Sequence, residues 1–277
     1  MSHTQILLAL DDSKWSAAAS VVAIGLTQVI DDSSLAALHV VNVVTASGNF
    51  IRDLPGRMGF EPAVVAPDVE EAASDHGRRI LGTFKLDAQR VGVETRTTME
   101  KGSVGERIVH HAESSDLLVM GARGETETRF PGQGGSTVAH IMSEASVPVL
   151  VVPENGNPVG SVLLAYDGSE GARHAVAAVR RFFSGTSVVV HAVFVSLDGV
   201  QSSVLDELDS ALTGCVVHRH VVQAESVREG LERALESTGA DLIALGFRGK
   251  NTLKDFVFGS TSEYLAMAGG TMVLVTH

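Results

Sequence analysis

Residues 6–13 read Ile-Leu-Leu-Ala-Leu-Asp-Asp-Ser, and residues 162–169 repeat this stretch as Val-Leu-Leu-Ala-Tyr-Asp-Gly-Ser. Two further blocks recur in the same order: residues 103–106 as 226–229, and residues 116–124 as 241–249. Three matches in one order indicate a duplicated structural unit, and such repeats outweigh local signals in deciding an architecture. The 277 residues therefore predict two related units instead of one large domain.

Each copy alternates apolar strands with amphipathic helices. The run Ile6–Leu10 is continuously apolar, as in a strand covered on both faces, and Ser13 can cap a helix over Lys14–Val29. The other segments predicted in the first copy are strands at 35–44, 93–99, 117–120 and 147–152, a helix after the capping-box pair Ser103 and Glu106, and a helix over 136–145. The segments predicted in the second copy are 161–166, 171–183, 187–195, 204–212, 215–222, 226–237, 241–245, 260–268 and 271–275. This alternation predicts an α/β fold with a doubly wound parallel sheet in each copy and helices on both faces.

The predicted domain boundaries follow from the repeat. The first domain spans 1–153, a turn-rich linker spans 154–160, and the second domain spans 161–277. The offset between copies falls from 156 residues at the first block to 123 at the second, so the first copy holds extra residues. We place them in a long loop over 46–71, which carries three prolines.

Composition excludes several classes of protein. The chain has 33 acidic and 21 basic residues, a net charge of −12 and one cysteine, Cys215. An acidic balance disfavours binding to nucleic acid or to anionic membranes, and a single cysteine cannot build a disulfide framework or a cysteine zinc cluster. The sequence shows neither a secretory signal nor an apolar run of the roughly 18 residues that span a membrane. We therefore expect a cytoplasmic protein that binds neither nucleic acid nor membranes.

Two features follow the strands where an open parallel sheet binds ligands. One is the acidic residue after the first strand, Asp11 or Asp167. The other is the glycine turn after the fourth strand, which in the second copy reads Gly246-x2-Gly249-x9-Gly259-Ser260. Glycine allows close approach of the backbone, a Gly-Ser step that opens a helix suits phosphate, and a carboxylate accepts hydrogen bonds from ribose hydroxyls. Together they predict a nucleotide site without a catalytic lysine.

Two commoner nucleotide motifs do not fit. Gly249-Lys250 lacks the earlier glycine of a P-loop, since position 244 is alanine, and no Gly-x-Gly-x-x-Gly follows the first strand of either copy. The spacing instead resembles the universal stress protein family in its ATP-binding branch, over essentially the whole chain. The resemblance implies a five-stranded parallel sheet of order 3-2-1-4-5 in each copy and pairing of the copies through their last strands. It also implies a regulatory role in stress response.

The resemblance further implies binding of ATP, alone or with Mg2+. Exposed edges of the last strands and the duplication predict a homodimer of tandem chains, and we expect a protein partner that the sequence does not identify. In the second copy Asp167 would meet the adenine or the ribose, and the backbone near Ala192, after the second strand, would read the adenine edge. The residues that would line the ribose and phosphates are Leu245, Gly246, Arg248, Gly249, Gly259, Ser260 and Thr261.

The first copy departs from this pattern. Ten residues, not nine, separate Gly124 from the Gly135-Ser136 step, and Glu125 and Glu127 place two carboxylates where phosphate would lie. The second copy is therefore predicted as the better site. The candidates in the first copy are Asp11, Val40, Gly121, Arg123, Gly124, Gly135 and Ser136.

Alternative interpretations remain open at this stage. The two aspartates could cap helices, the glycines could serve turns alone, and the protein could be a scaffold or bind an apolar ligand in degenerate pockets. No catalytic residue or metal site is predicted, so enzymatic activity is expected to be absent or limited to slow ATP hydrolysis.

His39 and His191 are interpreted as equivalent packing residues of the second strand. His218 and His220 share a strand face and could bind a metal or sense pH, although an ordinary exposed edge is favoured.

Overall fold

The computed structural model describes residues 3–42, 67–124, 136–197, 203–246 and 270–277. The strands within these ranges are β1 (Thr4–Ala9), β2 (Ser33–Val41), β3 (Thr95–Lys101), β4 (Leu117–Gly121), β5 (Val149–Val152), β6 (Ser161–Ala165), β7 (Val189–Ser196), β8 (Val216–Gln223), β9 (Leu242–Gly246) and β10 (Met272–Thr276). The helices are α1 (Lys14–Val29), α2 (Pro67–Arg90), α3 (Val104–Ala112), α4 (Ser136–Glu144), α5 (Glu170–Phe183), a 3-10 helix (Ser203–Glu207), α6 (Leu208–Ala211) and α7 (Val227–Thr238). The helix predicted over 260–268 lies outside the described residues.

The strands form one sheet in the order β3-β2-β1-β4-β5-β10-β9-β6-β7-β8. Strands β1–β5 are parallel to one another, as are β6–β10, and each set has the order 3-2-1-4-5. The two sets join through antiparallel pairing of β5 with β10, where Val151 lies opposite Val273. The predicted α/β fold class, the strand order and the pairing through the last strands are confirmed.

Both faces of the sheet are covered, as the continuous apolar run of β1 predicted. Ile6 and Leu8 enter one buried cluster, with Ala19 and Leu26 of α1, whereas Leu7 and Ala9 enter the other. Successive side chains of a strand point to opposite faces, so an apolar run without alternation requires helices on both sides. The edge strands β3 and β8 are mostly exposed or half-buried, and they carry polar side chains.

Serine caps begin the helices that follow the first strand of each half. The Ser13 hydroxyl accepts a hydrogen bond from the Ser16 N–H at 3.1 Å, and the Ser169 hydroxyl accepts one from the Ala172 N–H at 3.3 Å. Ser103 also precedes its helix, but its side chain makes no capping hydrogen bond. The capping-box pattern at Ser103 therefore marked the start of α3 correctly without forming the predicted bond.

The extra residues of the first half do not all lie in a loop. Helix α2 begins at Pro67 and extends over 24 residues, so the loop predicted over 46–71 is wrong at its C-terminal end. Among the described residues, the equivalent position of the second half holds the 5-residue 3-10 helix and the 4-residue α6. The rest of the predicted loop, residues 46–66, lies outside the described residues. The domain boundaries stay a prediction, and the predicted linker falls between the end of β5 and the start of β6.

No helix within the described ranges combines the length and apolar character needed to cross a bilayer.

Candidate functional site

The turn after β1 is fixed to the start of α1 by its own polar groups. The Asp11 carboxylate accepts a hydrogen bond from the Ser13 N–H at 3.0 Å, and the Asp11 N–H donates to the Ser16 hydroxyl at 2.9 Å. Short polar side chains that bond the backbone two residues on are typical of tight turns. Asp11 therefore has a structural role as well as the predicted ligand role, and the two are compatible.

The turn after β4 lies against this first turn. The Ser13 hydroxyl donates a hydrogen bond to the Arg123 carbonyl oxygen at 3.3 Å. A Cβ atom at Gly124 would lie 3.0 Å from the Asp11 Oδ2 atom. The structure thus brings together Asp11, Arg123 and Gly124, which are far apart in the sequence and were predicted as parts of one site.

Gly121 ends β4 directly on the first turn of α1. A Cβ atom at this position would lie 2.8 Å from the Trp15 Cβ and 3.0 Å from the Ser16 backbone nitrogen. Such a contact is closer than side-chain carbons tolerate, so glycine is required here by packing between strand and helix. The interpretation of Gly121 as a residue that only allows a ligand to approach is therefore incomplete.

Trp15 also lies beside the candidate residues of the first half, although it is not one of the residues predicted for this site. The Lys14 ammonium lies 4.8 Å and the Arg123 guanidinium carbon 5.7 Å from the centre of the indole ring. Both distances are within the range of cation–π attraction. Lys14 also pairs with Glu154, which follows β5. The sequence offered one signal for Trp15, its place in the first turn of the helix beside the candidate site.

Val40 lies at the carboxyl end of β2, beyond the last residue of β1. The β1–β2 pairing ends at Ala9 opposite Leu38, whereas Val40 still pairs with Glu100 of β3. Its backbone therefore lies at the carboxyl ends of the strands, as the Asp11 turn does. Gly135 lies outside the described residues and Ser136 begins α4, so the phosphate-side step of the first half is not part of the described geometry.

The second half repeats the contact between the fourth strand and the helix. A Cβ atom at Gly246 would fall on the backbone carbonyl of Gly171, in the first turn of α5. The Asp167 carboxylate accepts a hydrogen bond from the Ser169 N–H at 2.9 Å, as Asp11 does from Ser13. Leu245, the residue before Gly246, is half-buried and pairs with Val275 of β10. The remaining predicted residues of this half, Arg248, Gly249, Gly259, Ser260 and Thr261, lie outside the described residues.

A model of the universal stress protein family matches residues 3–153 and 206–277, which is more than half of the chain. The chain belongs to the universal stress protein family.

This universal stress protein is 26% identical over 192 residues to universal stress protein Slr1230 of Synechocystis. The match spans 66% of each protein, so the chain covers just under two thirds of that relative's length. A universal stress protein from Archaeoglobus fulgidus is similar over 98% of this chain and 95% of its own, with 19% identity and a TM-score of 0.72. A universal stress protein solved in complex with cAMP covers 55% of this chain and 98% of its own, with 18% identity and a TM-score of 0.37. The Archaeoglobus structure confirms the fold.

The strand register corrects one equivalence between the halves of this universal stress protein. Ala9 lies opposite Leu38 in the first half and Ala165 opposite Val193 in the second. Position 195 is therefore the counterpart of Val40, and Ala192 lies three residues earlier, inside β7. There Ala192 pairs with Leu164 on one side and Arg219 on the other, so its backbone belongs to the sheet and does not follow the strand as predicted.

The same register separates His39 from His191. His39 corresponds to position 194, and its Nδ1 atom lies 2.8 Å from the Leu10 carbonyl oxygen. His191 lies near the start of β7, opposite Leu163. Their predicted equivalence is wrong, because matching the two residue types ignored the register that the β1–β2 and β6–β7 pairings impose.

Tyr166 distinguishes the second half, since it occupies the position that Leu10 has in the first. The Tyr166 hydroxyl donates a hydrogen bond to the Glu207 carboxylate, which also lies 3.7 Å from Arg173. Burial and the Glu207 carboxylate raise the pKa of the Tyr166 hydroxyl above its usual value. The exchange of Leu10 for Tyr166 was visible in the repeat, but its partner Glu207 was not.

The 3-10 helix lies against the Asp167 turn. Gly168 has a φ of +77°, a backbone conformation that favours glycine, and a Cβ atom there would lie 2.7 Å from a Val204 methyl group. In the first half the turn residue Asp12 instead meets His76 of α2, at 3.2 Å. The two candidate sites therefore share their strand and helix framework and differ in the segment that lies beside it.

Proposed function

We propose that this universal stress protein is an ATP-binding regulatory module whose bound nucleotide biases its conformation or its choice of protein partner. One observation carries the proposal. In each half, the acidic turn after the first strand and the glycine that ends the fourth strand meet at the first turn of one helix: Gly121 on α1, Gly246 on α5. The strand order reverses between these two strands, and open parallel sheets bind ligands at such points.

The residues around these turns fit an adenine nucleotide. A Cβ atom at Gly124 would meet the Asp11 carboxylate, so the absence of a side chain there keeps the carboxylate within reach of a ribose hydroxyl. Backbone N–H groups at Gly249 and at the Gly259-Ser260 step of the second half would hold the phosphates, and Mg2+ would be bound mainly by phosphate oxygens. The intact spacing of the second half makes it the preferred site, with the first half as the weaker one.

We further propose that the protein does not catalyse rapid phosphoryl transfer. The sequence lacks the Gly-Lys-Ser/Thr step that places a lysine on the phosphates, and neither candidate site offers an evident general base. At most, bound ATP would be hydrolysed slowly. A regulatory role needs no more than this, because nucleotide that favours one conformation shifts the population by its difference in affinity.

Isothermal titration of ligand-free protein with ATP and ADP tests the proposal. We expect saturable binding, and we expect Gly259→Val to remove the second-half site because the added side chain would occupy the space of the phosphate. Gly82→Ala on helix α2 is the matched control, since a Cβ atom there meets nothing within 4 Å. It should bind ATP like the unaltered protein. No binding at millimolar nucleotide would contradict the proposal.

A nucleotide-independent role is the second candidate, and one observation favours it for the second half. Val204 and Tyr166 place an apolar and an aromatic side chain beside the Asp167 turn. Such a lining suits an apolar ligand or a closed, ligand-free scaffold. If this alternative holds, titration with ATP or ADP will show no saturable binding to either the unaltered protein or Gly259→Val.

A further inference from the structure

Three histidines of the second half form a cluster on one face of two neighbouring strands. The His191 Nδ1 and His220 Nε2 atoms lie 3.1 Å apart, at hydrogen-bond distance. The His191 ring lies 5.6 Å from the His218 ring in a stacked arrangement and 5.2 Å from the His220 ring. Within the described part of the chain, no group of three or more His, Cys, Asp or Glu residues is arranged to hold a metal ion.

The strand register builds this cluster. His191 of β7 lies opposite His218 of β8, and Val193 lies opposite His220. Because side chains alternate along a strand, His191, His218 and His220 share one face. Strand β8 is the last strand of the described sheet, His218 is exposed, and the other two imidazoles are half-buried. Protons can therefore reach the cluster from solvent.

Most of the charged groups near the cluster form ion pairs with one another. Helix α7 packs on this face of β7, where Gly230 contacts Val195. The charged residues of α7 are Arg228, Glu229, Glu232, Arg233 and Glu236, of which Arg228 pairs with Glu232 and Arg233 with Glu229. Arg219 of β8 lies on the opposite face and pairs with Asp206 and Asp209 of the 3-10 helix and α6. Strand β6 presents the buried, apolar Leu163 beside His191.

The imidazoles therefore act mainly on one another. Burial, then His220 and His218, lower the pKa of His191 below its ordinary value, and burial followed by His218 lowers the pKa of His220. A hydrogen bond between two imidazoles needs one ring nitrogen without a proton. Full protonation removes that acceptor and leaves adjacent positive charges across the β7–β8 pair.

The opposite edge of the sheet provides a contrast. There, His111 lies 3.3 Å from the Glu100 carboxylate of β3, and His39 bonds the Leu10 carbonyl oxygen. Both partners are oxygen acceptors, which a protonated imidazole can still use as a donor. Acid should therefore leave the β3 edge intact.

We propose that the His191–His218–His220 cluster is an acid-responsive device that loosens edge strand β8 from β7 when the pH falls below neutrality. The inference is independent of nucleotide binding. The folded protein binds fewer protons than the unfolded chain between the lowered pKa values and the ordinary value near 6.5, so the free energy of unfolding falls as the pH drops through this range. Above it, the His191 and His220 imidazoles are neutral and the strand is held.

Native-state hydrogen exchange tests the proposal on the full chain. Protection factors, which correct for the intrinsic effect of pH, would be measured for β8 and β3 amides at about pH 7.5 and about pH 5.5. We expect β8 protection to fall about tenfold for each unit of pKa lowering in the cluster, and β3 protection to change much less. Equal loss at both edges, or no loss at β8, would overturn the proposal.

Two variants distinguish an effect of the histidine cluster on β8 protection from a general destabilisation of the protein by acid. His218→Gln removes an exposed imidazole and should raise the NMR-measured pKa of both His191 and His220 while reducing the loss of β8 protection in acid. The matched control is His110→Gln, an exposed helical histidine whose Nδ1 lies 3.7 Å from Glu113. It should leave the loss of β8 protection unchanged. If His218→Gln moves neither pKa value, His218 does not interact with the other two imidazoles and the proposal of a three-histidine cluster fails.

Discussion

A hydrogen atom in place of a side chain at Gly246 lets β9 end directly on the first turn of α5, and Gly121 does the same for β4 on α1. The ligand and packing interpretations of these glycines are therefore linked. The close packing places the glycine turn beside the acidic turn, and that proximity forms the candidate site.

Gly246→Ala tests this contact. The new Cβ would meet the Gly171 carbonyl, which is backbone and cannot rotate away, so we expect a loss of about 3 kcal/mol in the free energy of unfolding. The same substitution at Gly82 of α2 meets no atom and should raise it by about 0.5–1 kcal/mol through helix propensity. Urea denaturation of both variants measures the difference. Equal effects at the two positions would contradict the packing described for Gly246.

The residues that converge at the candidate site could be predicted from the sequence, but not all of their neighbours could. Asp11 and Gly124 could be predicted because the repeat placed them after strands one and four of a parallel sheet, and Arg123 could be predicted from the family resemblance. Ala192 was misplaced by three residues, since the register of β7 depends on hydrogen bonds to β6 that an isolated apolar run does not reveal. The pairing of Tyr166 with Glu207 could not be predicted because Glu207 lies after β7 in a segment that the repeated blocks do not include.

At the scale of elements, the apolar strands were easy to predict and α2 was not. Its sequence is rich in charge and contains Gly77 and Gly82, which weaken a helical pattern. Tertiary packing explains the glycine at position 77. A Cβ atom there would lie 2.5 Å from the His39 ring, so glycine lets the helix lie close to β2. Long-range packing of this kind overrides local propensity.

Two serines that begin helices should differ in their contribution to stability. The Ser226 hydroxyl accepts a hydrogen bond from the Glu229 N–H at 3.2 Å, whereas Ser103 makes no such bond. Ser226→Ala should lower the free energy of unfolding by about 1 kcal/mol, and Ser103→Ala should change it by less than about 0.5 kcal/mol. Chemical denaturation of the two variants provides the measurement, and a larger effect at Ser103 would contradict the capping assignment.

At the scale of the whole molecule, the β5–β10 pairing makes one continuous sheet from the two repeats. Because this pairing is antiparallel, the strands of the two halves run in opposite directions. The two candidate sites, which lie at the carboxyl ends of their strands, are therefore on opposite sides of the sheet along the strand direction. The pairing followed from the family resemblance. The different segments beside the two sites, α2 in the first half and the 3-10 helix in the second, could not be predicted from the resemblance, because the repeat is weakest there.

Disulfide trapping tests the register of this join. In a Cys215→Ser background, Val151→Cys with Val273→Cys places two thiols directly opposite each other and should give an intramolecular disulfide on mild oxidation. Val151→Cys with Val275→Cys is the control, because Val275 lies opposite Val149 and the diagonal distance is too long. Non-reducing electrophoresis distinguishes the two pairs, and preferential crosslinking of the control pair would contradict the register.

We propose that this universal stress protein binds an adenine nucleotide at the turns after its first and fourth strands. Mass spectrometry of the ligand released from purified protein, after incubation with ATP and removal of unbound nucleotide, tests it most directly. We expect ATP or ADP to be released from the unaltered protein, and in a smaller amount from Gly259→Val. Release of an apolar molecule with no nucleotide, or of no ligand at all, would contradict it.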